Sequence, residues 1–266
     1  MNVYRFELKH LVRPVVVWLL CLVGVFMLLE KSVYPVMLEA KPQVETIFAN
    51  IPLQLREAIG LDIGSFFSYE GFFVFAFTYI GLLTVIMAVS LSLQVFTREK
   101  KGKCTDFLLT KPITRREAFI SKYMACFTVI VAFNVLFVAV IAPGFVREAE
   151  GFSLNGRFVL YMLAPFLTQL VFLSLGICFA VFAKRIRSIS GLASAFGFAA
   201  FVLSAFVDAW DKDIFNMISP LNYFSPDFIF ENGAYDPKLI FAAAIVFAGF
   251  LIAAYIRYFR HDIAAV

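Results

Sequence analysis

The sequence predicts an all-α integral membrane protein with six transmembrane helices and both termini in the cytoplasm. Three observations carry that expectation. Six long apolar runs cover 14–29, 71–97, 123–146, 158–183, 188–207 and 239–256, and none of them contains Asp, Glu, Lys, Arg or His. The chain is 62% hydrophobic and only 16% charged, where a soluble domain carries about 25% charged residues. Lys and Arg are also segregated: 16 of the 23 fall in the N-terminal segment, the 97–122 and 184–187 connections and the C-terminal tail. The positive-inside rule puts those parts on one side, the cytoplasm. The net charge of +4 is therefore a dipole across a membrane and not a nucleic-acid footprint.

Each run can be justified as a helix. A hydrocarbon core of about 30 Å needs about 20 apolar residues, and lipid offers no partner to an unpaired backbone group. Four runs reach that length. The run 239–256 has 18 residues, and 14–29 has 16 with Leu11 and Val12 able to extend it. The stretch after the first run lacks a small-x-small cleavage site, so that run is expected to remain as a span. Before it, residues 1–13 read as a separate amphipathic helix on the inner leaflet. Tyr4, Leu8, Leu11 and Val12 share one face, and Arg5, Lys9 and Arg13 lie off it.

The connections differ in character. Residues 30–70 form a long extracytoplasmic connection. Within it, Phe48, Ile51, Leu55 and Ile59 recur at helical spacing, Pro52 suits a first turn, and Gly60 suits a stop. Residues 208–238 form a second such connection, read as a solvated acidic face punctuated by Pro220, Pro226 and Pro237. Its carboxylates do not match a calcium-loop spacing. The largest cytoplasmic connection, 97–122, is basic, yet it holds the apolar cluster Phe107, Leu108 and Leu109 between Gly102 and Pro112. A purely topological loop has no need of that cluster.

Catalytic chemistry is poorly supplied. Two histidines and four scattered cysteines, with no Cys-x-x-Cys pair, exclude a metal centre or disulfide framework of familiar spacing. There is no phosphate-binding loop and no nucleophile elbow. The spans hold few polar residues. Asn134 and Gln169 are central in the third and fourth spans, where each suits a hydrogen bond between helices and each would also suit a substrate path. Gly191 and Ala195 have the small-x-x-x-small spacing of closely approaching helices. The absence of ionisable residues inside the spans argues against a secondary transporter. A membrane scaffold or sensor that recruits cytosolic partners through the basic loop remains the alternative reading.

The segment REKKGKCTDFLLTKPITRREAFISKYMA resembles the stretch that follows the second span of type-2 ATP-binding-cassette (ABC) permeases. The matching residues are Glu99, Gly102, Leu108, Leu109, Thr110, Pro112, Arg115 and Lys122. The stretches IPLQLREAIGLD and SPLNYFSPDFIF are similar to the family's segments before the second and last spans. The resemblance implies a permease subunit of an exporter. It would pair with a second copy or a homologous permease, above two copies of a separate ATPase subunit that carries the ATP and Mg. Residues 1–13 would be the connecting helix. The 97–122 segment would be the coupling helix, with Glu99, Gly102, Phe107, Leu108, Leu109, Pro112, Arg115 and Arg116 contacting the ATPase. The implied cargo is an amphiphilic peptide, antibiotic or lipid-like molecule, and the chain itself would bind no cofactor.

Overall fold

A computed structural model describes residues 3–39, 41–49, 51–52, 55, 67–102, 114–148, 156–210 and 216–260. Helices dominate, and no strand occurs among the described residues. In chain order the elements are α1 (Val3–Leu28), a π-helical turn (Leu29–Val33), α2 (Tyr34–Glu39) and α3 (Lys41–Ala49). Then come α4 (Tyr69–Gly102), α5 (Arg115–Glu148), α6 (Gly156–Phe182), α7 (Ile189–Trp210), α8 (Pro226–Asn232) and α9 (Pro237–Arg260). Six of them, α1, α4, α5, α6, α7 and α9, are long and apolar enough to cross a membrane. They form one bundle with a basic end, which carries the first residues of α1, the 97–122 connection and the end of α9, and an opposite acidic end.

The helices are longer than the apolar runs. Both α4 and α5 have 34 residues, about 50 Å at 1.5 Å per residue, so each projects beyond a 30 Å core. The 97–122 connection is correspondingly shorter as a separate unit, because α4 continues to Gly102 and α5 starts at Arg115. At the start of α5 a capping box forms. Thr114 Oγ1 accepts from the Glu117 N–H at 3.2 Å, and Glu117 Oε2 accepts from the Thr114 N–H at 3.0 Å.

The separate helix expected over residues 1–13 is corrected by the structure: α1 runs from Val3 to Leu28 with Pro14 inside it. Proline there removes only the bond to the His10 carbonyl. Protein contacts hold the first turns on one side. Leu11 is fully buried, Glu7 is buried, and the Tyr4 hydroxyl donates to Thr128 Oγ1 of α5 at 3.1 Å. Val12, assigned to the same apolar face as Leu11, is instead exposed.

The core is built on α4, whose neighbours are chiefly α6 and α7; α6 also packs against α9, and α1 against α5. A close approach of α6 to α4 occurs at Gly176. A Cβ there would clash with Ser92 Oγ and stand 3.3 Å from Val89 Cα, so only glycine lets the two backbones meet. Phenylalanine packs α1 against α4. Phe73 and Phe77 stack at 4.3 Å, and Phe26 of α1 meets both rings edge-on at 5.9 and 6.3 Å.

The acidic end also differs from expectation. In the 30–70 connection the helix α3 lies at Lys41–Ala49; of the helix predicted around Pro52, only Ile51, Pro52 and Leu55 are described, and Leu55 N–H bonds the Pro52 carbonyl at 3.0 Å. In the 208–238 connection Asp227 and Glu231 are exposed, as an acidic surface requires, but several of the residues around them are not. Ser219, Asn222, Tyr223, Phe224 and Ile229 are buried. The connection folds back against α4, α6 and α9, which takes these side chains out of water. Its helix α8 ends on Gly233, whose φ of 66° is a left-handed cap that spares a side chain from strain. Burial pushes the Tyr235 phenol up, so it stays protonated and donates to the Leu160 carbonyl at 2.6 Å.

Candidate functional site at the basic end

The 97–122 connection hangs between two helices whose ends are firmly held. On the α4 side, Arg98 Nη1 bonds Glu7 Oε2 of α1 at 2.7 Å, with Glu7 almost fully buried. The Arg98 guanidinium also lies over the Phe6 ring at 5.7 Å. A charged pair with this geometry is short and strong, and it leaves α1 and the end of α4 mechanically joined. On the α5 side, Lys122 is fully buried, with Nζ 5.7 Å from the Phe96 ring and 6.0 Å from the Tyr258 ring. Desolvated cation–π contacts of this kind contribute about 2 kcal/mol. Phe119 completes the cluster, 5.4 Å from both Phe96 and Tyr258. Rings from α4 and α9 thus flank the ammonium group of α5, and the Phe119 ring packs against both of them.

The first residues of α5 are tied to α9 as well. Arg115 Nη1 donates to the Phe259 carbonyl at 3.1 Å, in the last turn of α9 where a cation complements the helix dipole. Arg116 is exposed. Glu99 and Gly102 belong to the last turns of α4. Phe107, Leu108, Leu109 and Pro112, the residues assigned to ATPase contact, lie outside the described residues, as does Thr110.

Within the spans the structure brings two predicted residues together. Asn134 Nδ2 of α5 donates to Gln169 Oε1 of α6 at 2.6 Å and to its own Ile130 carbonyl at 2.8 Å. Both side chains are buried, and Gln169 Nε2 has no acceptor among the described residues. Among the described residues, Gly191 and Ala195 are not brought against another helix. Both are exposed on α7, in a stripe continued by Phe198, Val202 and Phe206. At the acidic end a cavity of about 60 Å³ opens between α4, α6, α7 and the 208–238 connection, with Thr78, Thr168, Phe201, Asn222 and Asp227 in its wall. Ser204 and Asn222 are hydrogen-bonded beside it. Neither Asn134 nor Gln169 lines this cavity.

Three features, two at the basic end and one at the acidic end, escaped sequence reasoning. Glu7 is the only acid in the first thirteen residues, and that singularity was its signal. The Thr114–Glu117 capping box is legible as Ser/Thr-x-x-Glu before a long apolar run. Glu30 falls by sequence in the 30–70 connection, yet it is buried at the acidic end, where the Tyr69 hydroxyl donates to Oε1 at 2.5 Å and Lys31 stands 3.8 Å from Oε2. Nothing in the local sequence marks it.

The architecture is that of a multi-pass membrane protein whose basic end is organised around one connection. A comparison with curated proteins gave no match. A family model described as ABC-2 family transporter protein matches residues 1–263. This chain therefore belongs to the ABC-2 transporter family and is a multi-pass membrane permease of that family.

Proposed function

We propose that this chain forms half of the translocation path of an ATP-driven exporter and is driven by a separate ATPase that grips the 97–122 connection. The observation that carries the reading is the anchoring of both sides of that connection. Glu7–Arg98 ties its entry to α1, and the Lys122 aromatic cluster with the Arg115–Phe259 bond ties its exit to α9. A push on the connection would therefore reach α1, α4, α5 and α9 as one displacement. Phe107, Leu108 and Leu109 are the buried anchor in the ATPase groove, and Arg115 and Arg116 supply positive charge at its edge. ATP and Mg belong to the partner, in two copies.

The path is completed by a second copy or a homologous permease. The exposed stripe of α7, which begins with Gly191 and Ala195, supports that pairing, since small residues allow close helix approach. An amphiphilic peptide, antibiotic or lipid-like cargo suits the Phe-rich bundle. Positive-inside bias supports the basic end as cytoplasmic. The test is a reconstituted complex with its ATPase, assayed for ATP hydrolysis and flux. Replacing Phe107, Leu108 and Leu109 together with Ser is expected to leave membrane insertion intact and to cut ATP-dependent flux by tenfold or more. Full coupling in that variant would refute the assignment.

A further inference from the structure

At the basic end an apolar groove of about 270 Å³ runs between α5 and α9. Its walls are Phe119, Ile120 and Tyr123 on one side and Leu251, Ile252 and Tyr255 on the other, and they present only apolar surface. The groove is open to the surroundings of the bundle, which for these spans is lipid. Its basic-end mouth is different in kind. Arg115 and Arg116 stand four residues before Phe119 and Ile120, hence on the same face of α5 and one turn closer to the membrane surface. Helical side chains lean towards the N-terminus, which for α5 is the basic end, so both side chains lean towards the end where headgroups would lie. Arg115 spans the mouth through its bond to the Phe259 carbonyl, and Arg116 is exposed. The positive end of the α5 dipole adds to their charge. Glu117, a carboxylate close by on the same helix, accepts the Thr114 N–H in the capping box.

We propose that this groove is a binding site for one anionic phospholipid, with an acyl chain between α5 and α9 and its phosphate at Arg115 and Arg116. The occupant follows from the pairing of surfaces. An apolar slot inside the hydrocarbon layer suits a chain of methylenes, and two arginines at its rim suit a phosphate, which guanidinium binds bidentately. Basic pockets between transmembrane helices at the headgroup level take anionic lipids for this reason. The site would hold a lipid between the start of α5 and the end of α9, beside the coupling connection, and this does not depend on which side of the membrane the basic end faces.

The test uses the purified full-length chain in neutral detergent, offered an equal mixture of phosphatidylglycerol and phosphatidylethanolamine with identical acyl chains, and read by native mass spectrometry. The wild type is expected to retain one phosphatidylglycerol in preference. Replacing both arginines (Arg115→Gln with Arg116→Gln) should reduce that preference roughly thirtyfold, at about 1 kcal/mol per basic contact. Arg116→Gln alone keeps the Arg115–Phe259 bond and should reduce it about fivefold on the same scale. Filling the groove with Ile120→Trp and Ile252→Trp should lower retention of both lipids. A wild type without preference, a charge variant that keeps it, a filled groove that holds lipid as before, or soluble glycerol phosphate bound as well as the lipid would each overturn the proposal.

Discussion

Glu7 and Arg98 form an ion pair whose acid is 4% and whose base is 28% exposed by side chain. The pair is valuable chiefly as a pair. Removing one partner leaves a charge where water cannot solvate it, whereas removing both leaves none. Arg98→Met is accordingly expected to destabilise the protein by about 2–3 kcal/mol, and Glu7→Gln with Arg98→Met to recover at least half of that loss. Thermal unfolding of the two single variants and the double in detergent gives the coupling directly. Strictly additive losses would show that the bond does not hold α1 to α4. The pairing of Asn134 with Gln169 has a similar logic at smaller size, about 1 kcal/mol, because amides in a membrane find other partners more easily than charges do.

Between helices, shape decides more than polarity. The α4–α6 contact depends on Gly176, where a side chain would meet the backbone of Val89 and the Ser92 hydroxyl. Gly176→Val should cost about 1–3 kcal/mol by forcing the two helices apart. Gly24 of α1 has open space where a Cβ would go, so Gly24→Ala should be neutral or slightly stabilising. Unfolding midpoints of the two variants discriminate packing from a general intolerance of glycine replacement. If Gly24→Ala proves as damaging as Gly176→Val, close approach is not the reason for Gly176. The extra length of α4 and α5 belongs here too. Both continue past their apolar runs because good helix formers and a capping box extend them, and tertiary anchors at Glu7 and Phe259 stop the extensions from fraying.

The complete bundle separates its charges between two ends, and that polarity makes its orientation testable. Lys184 and Lys238 are both exposed, the first between α6 and α7 at the basic end and the second at the start of α9 at the acidic end. In intact cells Lys184→Cys should resist a membrane-impermeant thiol reagent, and Lys238→Cys should react. The reverse pattern would place the basic end outside and remove the proposed contact with a cytosolic ATPase.

Six spans, the basic and acidic ends and the family were all readable from the chain, because lipid imposes one-dimensional rules. An apolar run must reach across the hydrocarbon, its backbone must be helical, and cationic flanks bias the side on which it starts. Asn134 and Gln169 could be singled out for the same reason, since polar groups are rare at that depth. Their bond to each other could not be read, nor could the burial of Glu7, Glu30 and Lys122 or the merging of residues 1–13 into the first span. Those depend on which helix faces meet, and a face acquires its neighbour only when residues as distant as Glu7 and Arg98, or Lys122 and Tyr258, are packed together in three dimensions.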